Sequence, residues 1–225
     1  MSKRSRTFTK SRKGDIFKTF PGTWSNFDFD FSRASIFYPL NNLTIEQGNF
    51  ASTRFYGEAD FRGAKFTILT SFGNAQFTGN ANFRNAQFTR NANFGNANFG
   101  NAQFTGLTIF GNAQFTRNAN FRNAQFAGNT NFRNTQFTGN TDFKGAYFKK
   151  YAPTFADASN SARFSAQADP QDYIFSVRKG SKPINCGTAT FDGKSFEIPL
   201  GAVLCDPVSW DEEEQDYTRL SESAQ

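Results

Sequence analysis

Ala86-Gln87-Phe88-Thr89-Arg90-Asn91-Ala92-Asn93-Phe94-Gly95-Asn96 holds one beat of the chain: two phenylalanines six residues apart, each with an amide just before it and a small residue two positions back. Outward in both directions the beat repeats. Phenylalanine recurs at Phe55, Phe61, Phe66, Phe72, Phe77, Phe83, Phe88, Phe94, Phe99, Phe104, Phe110, Phe115, Phe121, Phe126, Phe132, Phe137, Phe143 and Phe148, in steps of six and five that alternate almost without a break. The slot two residues before these eighteen rings holds Ala twelve times and Thr six times. An internal repeat of eleven residues therefore governs the fold.

In an extended chain, residues two apart point to the same side, so each Ala and Phe share a dry face while the Gln or Asn between them faces water. A helix would need apolar residues three and four apart; steps of five and six scatter the rings around it. One strand of two or three residues cannot bury its ring alone. Stacking many of them into a coil encloses the Phe and Ala columns and pairs the backbone from coil to coil. Each buried Phe contributes roughly 2 to 3 kcal/mol before chain entropy is subtracted, enough for a core without disulfide or metal. Asn directly precedes the small residue at Asn74, Asn80, Asn85, Asn91, Asn96, Asn101, Asn112, Asn118, Asn123, Asn129, Asn134 and Asn140. Asn tolerates left-handed backbone angles and bonds its own backbone, which suits sharp turns stacked into ladders.

Ala92-Asn93-Phe94-Gly95-Asn96 and Ala97-Asn98-Phe99-Gly100-Asn101 resemble the unit of the pentapeptide-repeat family: a small residue, Asn or Asp, a central Leu or Phe, and two more. The resemblance covers roughly residues 50 to 148. It implies an all-β fold, a right-handed quadrilateral β-helix with four units per coil, the central and small residues pointing inward. Every second unit departs by a sixth residue, as in Gln76-Phe77-Thr78-Gly79-Asn80, so on this model a coil takes about 22 residues and alternate corners bulge. A thinner coil of one eleven-residue unit is the alternative. Expected core residues include Phe77, Phe83, Phe88, Phe94, Phe99, Phe104, Phe110, Phe115, Phe121, Phe126 and Phe132.

Two irregularities stand out. Steps of five are consecutive at Phe94, Phe99 and Phe104, and Leu69 and Leu107 take the Asn slot beside Ile68 and Ile109, as drift or as an exposed apolar contact. The double five-step is expected to shift the outward set Thr67, Thr78, Thr89, Thr105, Thr116 and Thr138 onto another side midway. A flat water-ordering rank of the kind ice binding needs is thereby disfavoured.

Charge is uneven along the 225 residues. Residues 1–20 hold Lys3, Arg4, Arg6, Lys10, Arg12, Lys13 and Lys18 against Asp15 alone, and the end holds Asp211, Glu212, Glu213, Glu214 and Asp216. The expected organisation is a basic flexible arm (1–20), an aromatic cap with degenerate coils (21–50), solenoid repeats (51–148), a cap or linker (149–170), a small β appendage (171–208) and an acidic tail (209–225). Phe17, Phe20, Trp24, Phe27, Phe29, Phe31, Phe37 and Tyr38 supply the aromatic segment, which covers the first coil or docks on a partner. Asp192-Gly193 marks a hairpin in the appendage. Cys186 and Cys205 fit either a bridge or buried thiols and make no zinc pattern.

Catalysis finds no support: His is absent, and the regular coils contain only Glu58, Asp60 and Asp142 as acids. No cofactor or metal site is expected. The functional reading is a structural scaffold or linker that binds neighbouring proteins with acidic surfaces in a larger assembly. Its candidate contacts are Lys3, Arg4, Arg6, Lys10, Arg12, Lys13, Phe17, Phe20, Trp24, Phe27, Phe29, Phe31 and Trp210, with Arg62, Arg84, Arg122 and Arg133 as outward cations. The alternative is nucleic-acid association through the arm. The family also includes DNA mimics that occupy type II topoisomerases, but residues 51–148 carry nine Lys or Arg against three acids, the wrong sign for mimicry. With no apolar run long enough for a membrane span and no secretory leader pattern, a soluble intracellular protein is expected, in a bacterial, cyanobacterial or phage setting. The Ser/Arg/Lys-rich start leaves organelle targeting open.

Overall fold

The computed structural model describes residues 28–45, 47–66, 70–88, 97–98, 102–214 and 216–225, with the backbone alone at Asp28, Phe29, Gln47, Ala97 and Asn98. The arm residues Lys3 to Lys18, the rings Phe17, Phe20, Trp24 and Phe27, the core candidates Phe94 and Phe99, and Thr67, Ile68, Leu69 and Thr89 lie outside the described residues.

Consecutive two- and three-residue strands enter four parallel sheets in turn, giving an all-β solenoid. The first sheet stacks Ser35–Ile36, Arg54–Phe55, Gln76–Phe77, Gln103–Phe104, Gln125–Phe126 and Tyr147–Phe148. Ala59–Asp60, Ala81–Asn82, Thr108–Ile109 and Thr130–Asn131 make the second. The third runs Thr44–Ile45, Lys65–Phe66, Gln87–Phe88, Gln114–Phe115, Gln136–Phe137, Arg163–Ser165 and Val203–Cys205. In the fourth are Asp28–Asp30, Gln47–Asn49, Thr70–Ser71, Ala97–Asn98, Ala119–Asn120, Thr141–Asp142 and Tyr173–Ile174. One coil thus visits four sheets and takes 22 residues, as in the pairing of Arg54 with Gln76 and of Gln103 with Gln125, so the eleven-residue coil is excluded.

Inside, the rings form columns. Phe55, Phe77, Phe104, Phe126 and Phe148 stack with centroids 4.7, 4.6, 4.8 and 4.9 Å apart and planes within 7° of parallel. Phe61, Phe83, Phe110, Phe132 and Phe155 form a second column at 4.8 to 5.0 Å. Phe66, Phe88, Phe115, Phe137 and Phe164 form a third at 4.8 to 5.2 Å. These separations match the spacing of hydrogen-bonded strands, so the ladder and the ring stack enforce one register. Rings of neighbouring columns meet edge-on, as Phe110 and Phe121 do at 82°.

The two unit lengths build two different turns. After Phe72, Phe83, Phe110, Phe121 and Phe132 the chain turns in five residues: the next small residue donates its N–H back to the Phe carbonyl, as from Ala86 to Phe83 at 3.0 Å. Asn74, Asn85, Asn112, Asn123 and Asn134 then occupy φ of 55 to 58°, the turn position that favours Gly or Asn. The amide just before the ring closes the turn from outside. Asn82, Asn120 and Asn131 accept the N–H two residues on at 2.9 to 3.1 Å, and Asp60 and Asp142 do the same. Gln, too long for this, precedes the rings of the first and third sheets instead. There the chain turns in six residues, Thr78, Thr105, Thr116 and Thr138 donating their hydroxyls to the Phe carbonyl one coil below. Asn80, Asn118, Asn129 and Asn140 sit in these turns without positive φ, so the expectation of left-handed Asn holds for the five-residue units. Glycines stack backbone on backbone here; a Cβ on Gly79 would lie 2.0 Å from the Gly57 carbonyl oxygen.

One coil is longer. Gln76 pairs with Gln103, Ala81 with Thr108 and Gln87 with Gln114, each 27 residues on. Gln87 still pairs with Lys65 at 22, whereas Ala97 pairs with Thr70 at 27, so the five additional residues enter between Phe88 and Ala97. The double five-step is absorbed inside one coil. Thr78 and Thr105 consequently stay in rank on one sheet, against the expectation of a broken row, and their hydroxyls donate to backbone carbonyls.

The solenoid also outruns its expected limits. Asp28–Asp30 pairs with Gln47–Asn49 at one end. At the other, Arg163–Ser165 pairs with Gln136–Phe137, Tyr173–Ile174 with Thr141–Asp142, and Val203–Cys205 with Arg163–Ser165. The stretch 149–170 is therefore coil rather than linker, and part of 171–208 belongs to the sheets rather than to an appendage. The antiparallel hairpin Cys186–Phe191 with Lys194–Pro199 departs from the solenoid, turning through Asp192 and Gly193 at φ 47 and 79°. It buries Ala189, Phe196 and Ile198 and closes that end of the core. The acidic tail is not free: Trp210–Asp211 pairs with Asp216–Tyr217, Arg163 holds Asp216, and the Tyr217 hydroxyl donates to Gln136 at 3.1 Å.

Asn123→Gly is expected to leave thermal stability within a few tenths of a kcal/mol, whereas Asn123→Val costs about 1 to 2 kcal/mol or more, read by denaturant unfolding. Deleting Ala92–Asn96 restores unbroken alternation of five and six, and the shortened chain is expected to fold with a Tm no lower than the parent; a clear loss would show that the block contributes to the core.

Candidate interaction surfaces

The two ends of the rod differ. Under the closing hairpin, Leu204, Cys205 and Ile198 are fully buried. At the opposite end Phe31, Ile36, Leu40 and Leu43 are only half-buried against the core. Phe31 stacks on Phe50 at 5.3 Å and 11°, so it extends a ring column at this end. Phe29 lies in the strand Asp28–Asp30.

Beside this end lies an exposed aromatic ledge. Phe37 and Tyr38 are 65% and 78% accessible, and Phe37 stacks on Tyr56 at 4.8 Å and 7°. Arg54 sits 5.8 Å from the Tyr56 ring and donates through Nε to Gln76 Oε1 at 2.9 Å, which fixes its guanidinium along the ledge. Tyr56 escaped the sequence reading. Its signal was a tyrosine in the slot that Thr78 and Thr105 fill in later coils.

Of the outward arginines, Arg62 pairs with Asp60 at 2.7 Å and Arg122 with Asp142 at 2.8 Å, and Arg133 pairs with Asp157. The Ser159 and Asn160 amides, with Arg133, hold the Asp157 carboxyl well below the usual carboxylate range. Three of the four arginines expected to face outward, Arg62, Arg122 and Arg133, are thus internally matched. Trp210 packs edge-on against Tyr217 at 5.0 Å and lines a cleft of about 360 Å³ over Gln87, Gln114 and Gln136. Leu107 is exposed and Ile109 half-buried. The core candidates Phe77, Phe83, Phe88, Phe104, Phe110, Phe115, Phe121, Phe126 and Phe132 are all buried.

Among the described residues no three His, Cys, Asp or Glu side chains gather to hold a metal, and no helix is long and apolar enough to cross a membrane. Cys186 and Cys205 are free thiols. Burial pushes them up to about 11 and about 12, away from the thiolate a nucleophile needs.

Residues 50–98 and 99–147 match the family described as Pentapeptide repeats (9 copies). This stretch belongs to the pentapeptide-repeat family. No curated protein and no solved structure matches the chain. Parallel stacking continues past the matched residues on both sides, through Asp28–Asp30 and Val203–Cys205.

The buried acids set a pH response. Burial raises Cys205 from 9.0 to about 12 and also raises the Tyr173 hydroxyl, which donates to the Ser165 carbonyl at 2.9 Å. A group whose pKa is higher folded than unfolded contributes stability that is intact below the unfolded value and is lost as pH climbs toward the folded one. Tm is therefore expected to be level up to about pH 9 and to fall between about 9 and 12 in thermal melts; an unchanged Tm across that window would contradict the burial of these groups.

Proposed function

We propose that the chain is a non-enzymatic scaffold or linker that holds neighbouring proteins with acidic surfaces inside a larger assembly, using the N-terminal end of its rod. The asymmetry of the ends supports this most directly: one is closed by a hairpin, while the other carries half-buried core residues and the Phe37–Tyr38–Tyr56 ledge. The cation-rich segment with Lys3, Arg4, Arg6, Lys10, Arg12 and Lys13, followed by Phe17, Phe20, Trp24 and Phe27, precedes that end in the chain. Long-range attraction by the arm would raise encounter rates, and aromatic contact would set the lifetime of the complex. A rod of stacked coils with ring columns is stiff, which suits a spacer.

Affinity capture from native extract with the intact chain, a chain lacking residues 1–20, and Phe37→Ser/Tyr38→Ser is the test. The same companions should be retained by the intact chain, be lost at raised salt, and be depleted in both variants. An intact chain that stays monomeric and companionless rejects the reading.

A further inference from the structure

Two segments distant in sequence converge on the last strand of the first sheet. Arg178 donates its N–H to the Ala146 carbonyl and Lys182 donates to Phe148, each at 2.9 Å, while the Phe148 N–H bonds the Ser181 hydroxyl at 2.9 Å. Between these anchors Ser181 bonds back to Arg178 at 3.0 Å in a tight turn with Gly180 at φ 82°. The turn places Arg178, Lys179 and Lys182 beside Lys149 and Lys150, which follow Phe148 directly. Residues 143–151 and 175–183 together hold six cations, Lys144 among them, and no acid. Among the described residues none of the six takes part in an ion pair, in contrast to Arg62, Arg122 and Arg133.

Aromatic rings are interleaved with this charge. The Arg178 guanidinium lies 4.3 Å from the centre of the Tyr147 ring, and Tyr151 is 54% accessible. One coil away in the same sheet the exposed amide of Gln125 pairs in register with Tyr147, and Gln103 continues the row. The surface therefore offers unpaired cations, ring faces and amides along one sheet. Cations alone would suit any polyanion. An exposed phenol ring and a guanidinium held over a second ring supply planar groups on which unpaired bases stack, with amides for their polar edges.

We propose that this surface, centred on Lys149, Lys150, Tyr151, Arg178 and Lys182, binds single-stranded nucleic acid without strong sequence preference. It shares no residue with the N-terminal arm or with the Phe37–Tyr38–Tyr56 ledge, so it stands whether or not the rod is a protein scaffold.

The test is fluorescence anisotropy with the full chain and short labelled single-stranded RNA and DNA, at about 50 and about 200 mM salt. Duplex of the same length and poly-glutamate serve as competitors. Affinity should fall with log salt by about 0.7 per phosphate contacted. Lys149→Gln/Lys150→Gln/Lys182→Gln should weaken binding by about tenfold or more and flatten that slope, with Tm unchanged. Tyr151→Ala should weaken it by about tenfold at both salts and Tyr151→Phe should restore it, a pattern charge alone would not give. Wild-type affinity in the triple variant would assign any binding to the arm and overturn the proposal. Indifference to Tyr151→Ala, or equal competition by duplex or poly-glutamate, would overturn it in favour of a generic polyanion surface.

Discussion

Coil-to-coil registry between phenyl rings and backbone is the constraint on which this molecule depends. Parallel strands stack about 4.8 Å apart, and phenyl rings lying flat on one another accept nearly the same separation. The Phe55 to Phe148 column keeps both at once across the first sheet. A slip of one residue in any coil would turn Phe outward and its neighbouring Gln inward, exposing a ring and burying an amide together. That double penalty explains why the repeat admits so few residue types inside and why alanine and threonine accompany the rings: the interior beside a continuous ring column has room for little else.

The spacing of phenylalanine made the solenoid core legible, because period-two geometry and a fixed beat leave no helical solution. The turn grammar was harder to read. Asn82 and Asn120 close turns, whereas Gln87 and Gln114 face the same solvent with no such task, and the difference of one methylene acquires meaning only once the coil is drawn. The limits of the solenoid were misread for a related reason. Beyond Phe148 the rings fall at Phe155, Phe164 and Phe175, with lengthening intervals. They still take their places above Phe132, Phe137 and Phe143, since a column tests position in space and not distance along the chain.

Charge was legible in amount and not in arrangement. Arg163 and Asp216 are 53 residues apart, and their contact draws an acidic segment against the third sheet that composition alone would leave in water. Likewise Lys149–Lys150 and Arg178–Lys182 are unremarkable as separate runs. They become one surface because the second segment pairs with the strand that ends just before the first.

The coil that is five residues longer than its neighbours bears on how such a chain changes over generations. Ala92–Asn96 and Ala97–Asn101 are the same five letters in tandem, the trace that a short duplication in the coding sequence leaves behind. Strands on either side keep their partners, so the copy was accommodated without disturbing the sheets. Replication errors that would ruin an ordinary globular core are here confined to one circuit of the spiral, and the gene is free to gain or shed such blocks while both extremities of the rod keep their identity.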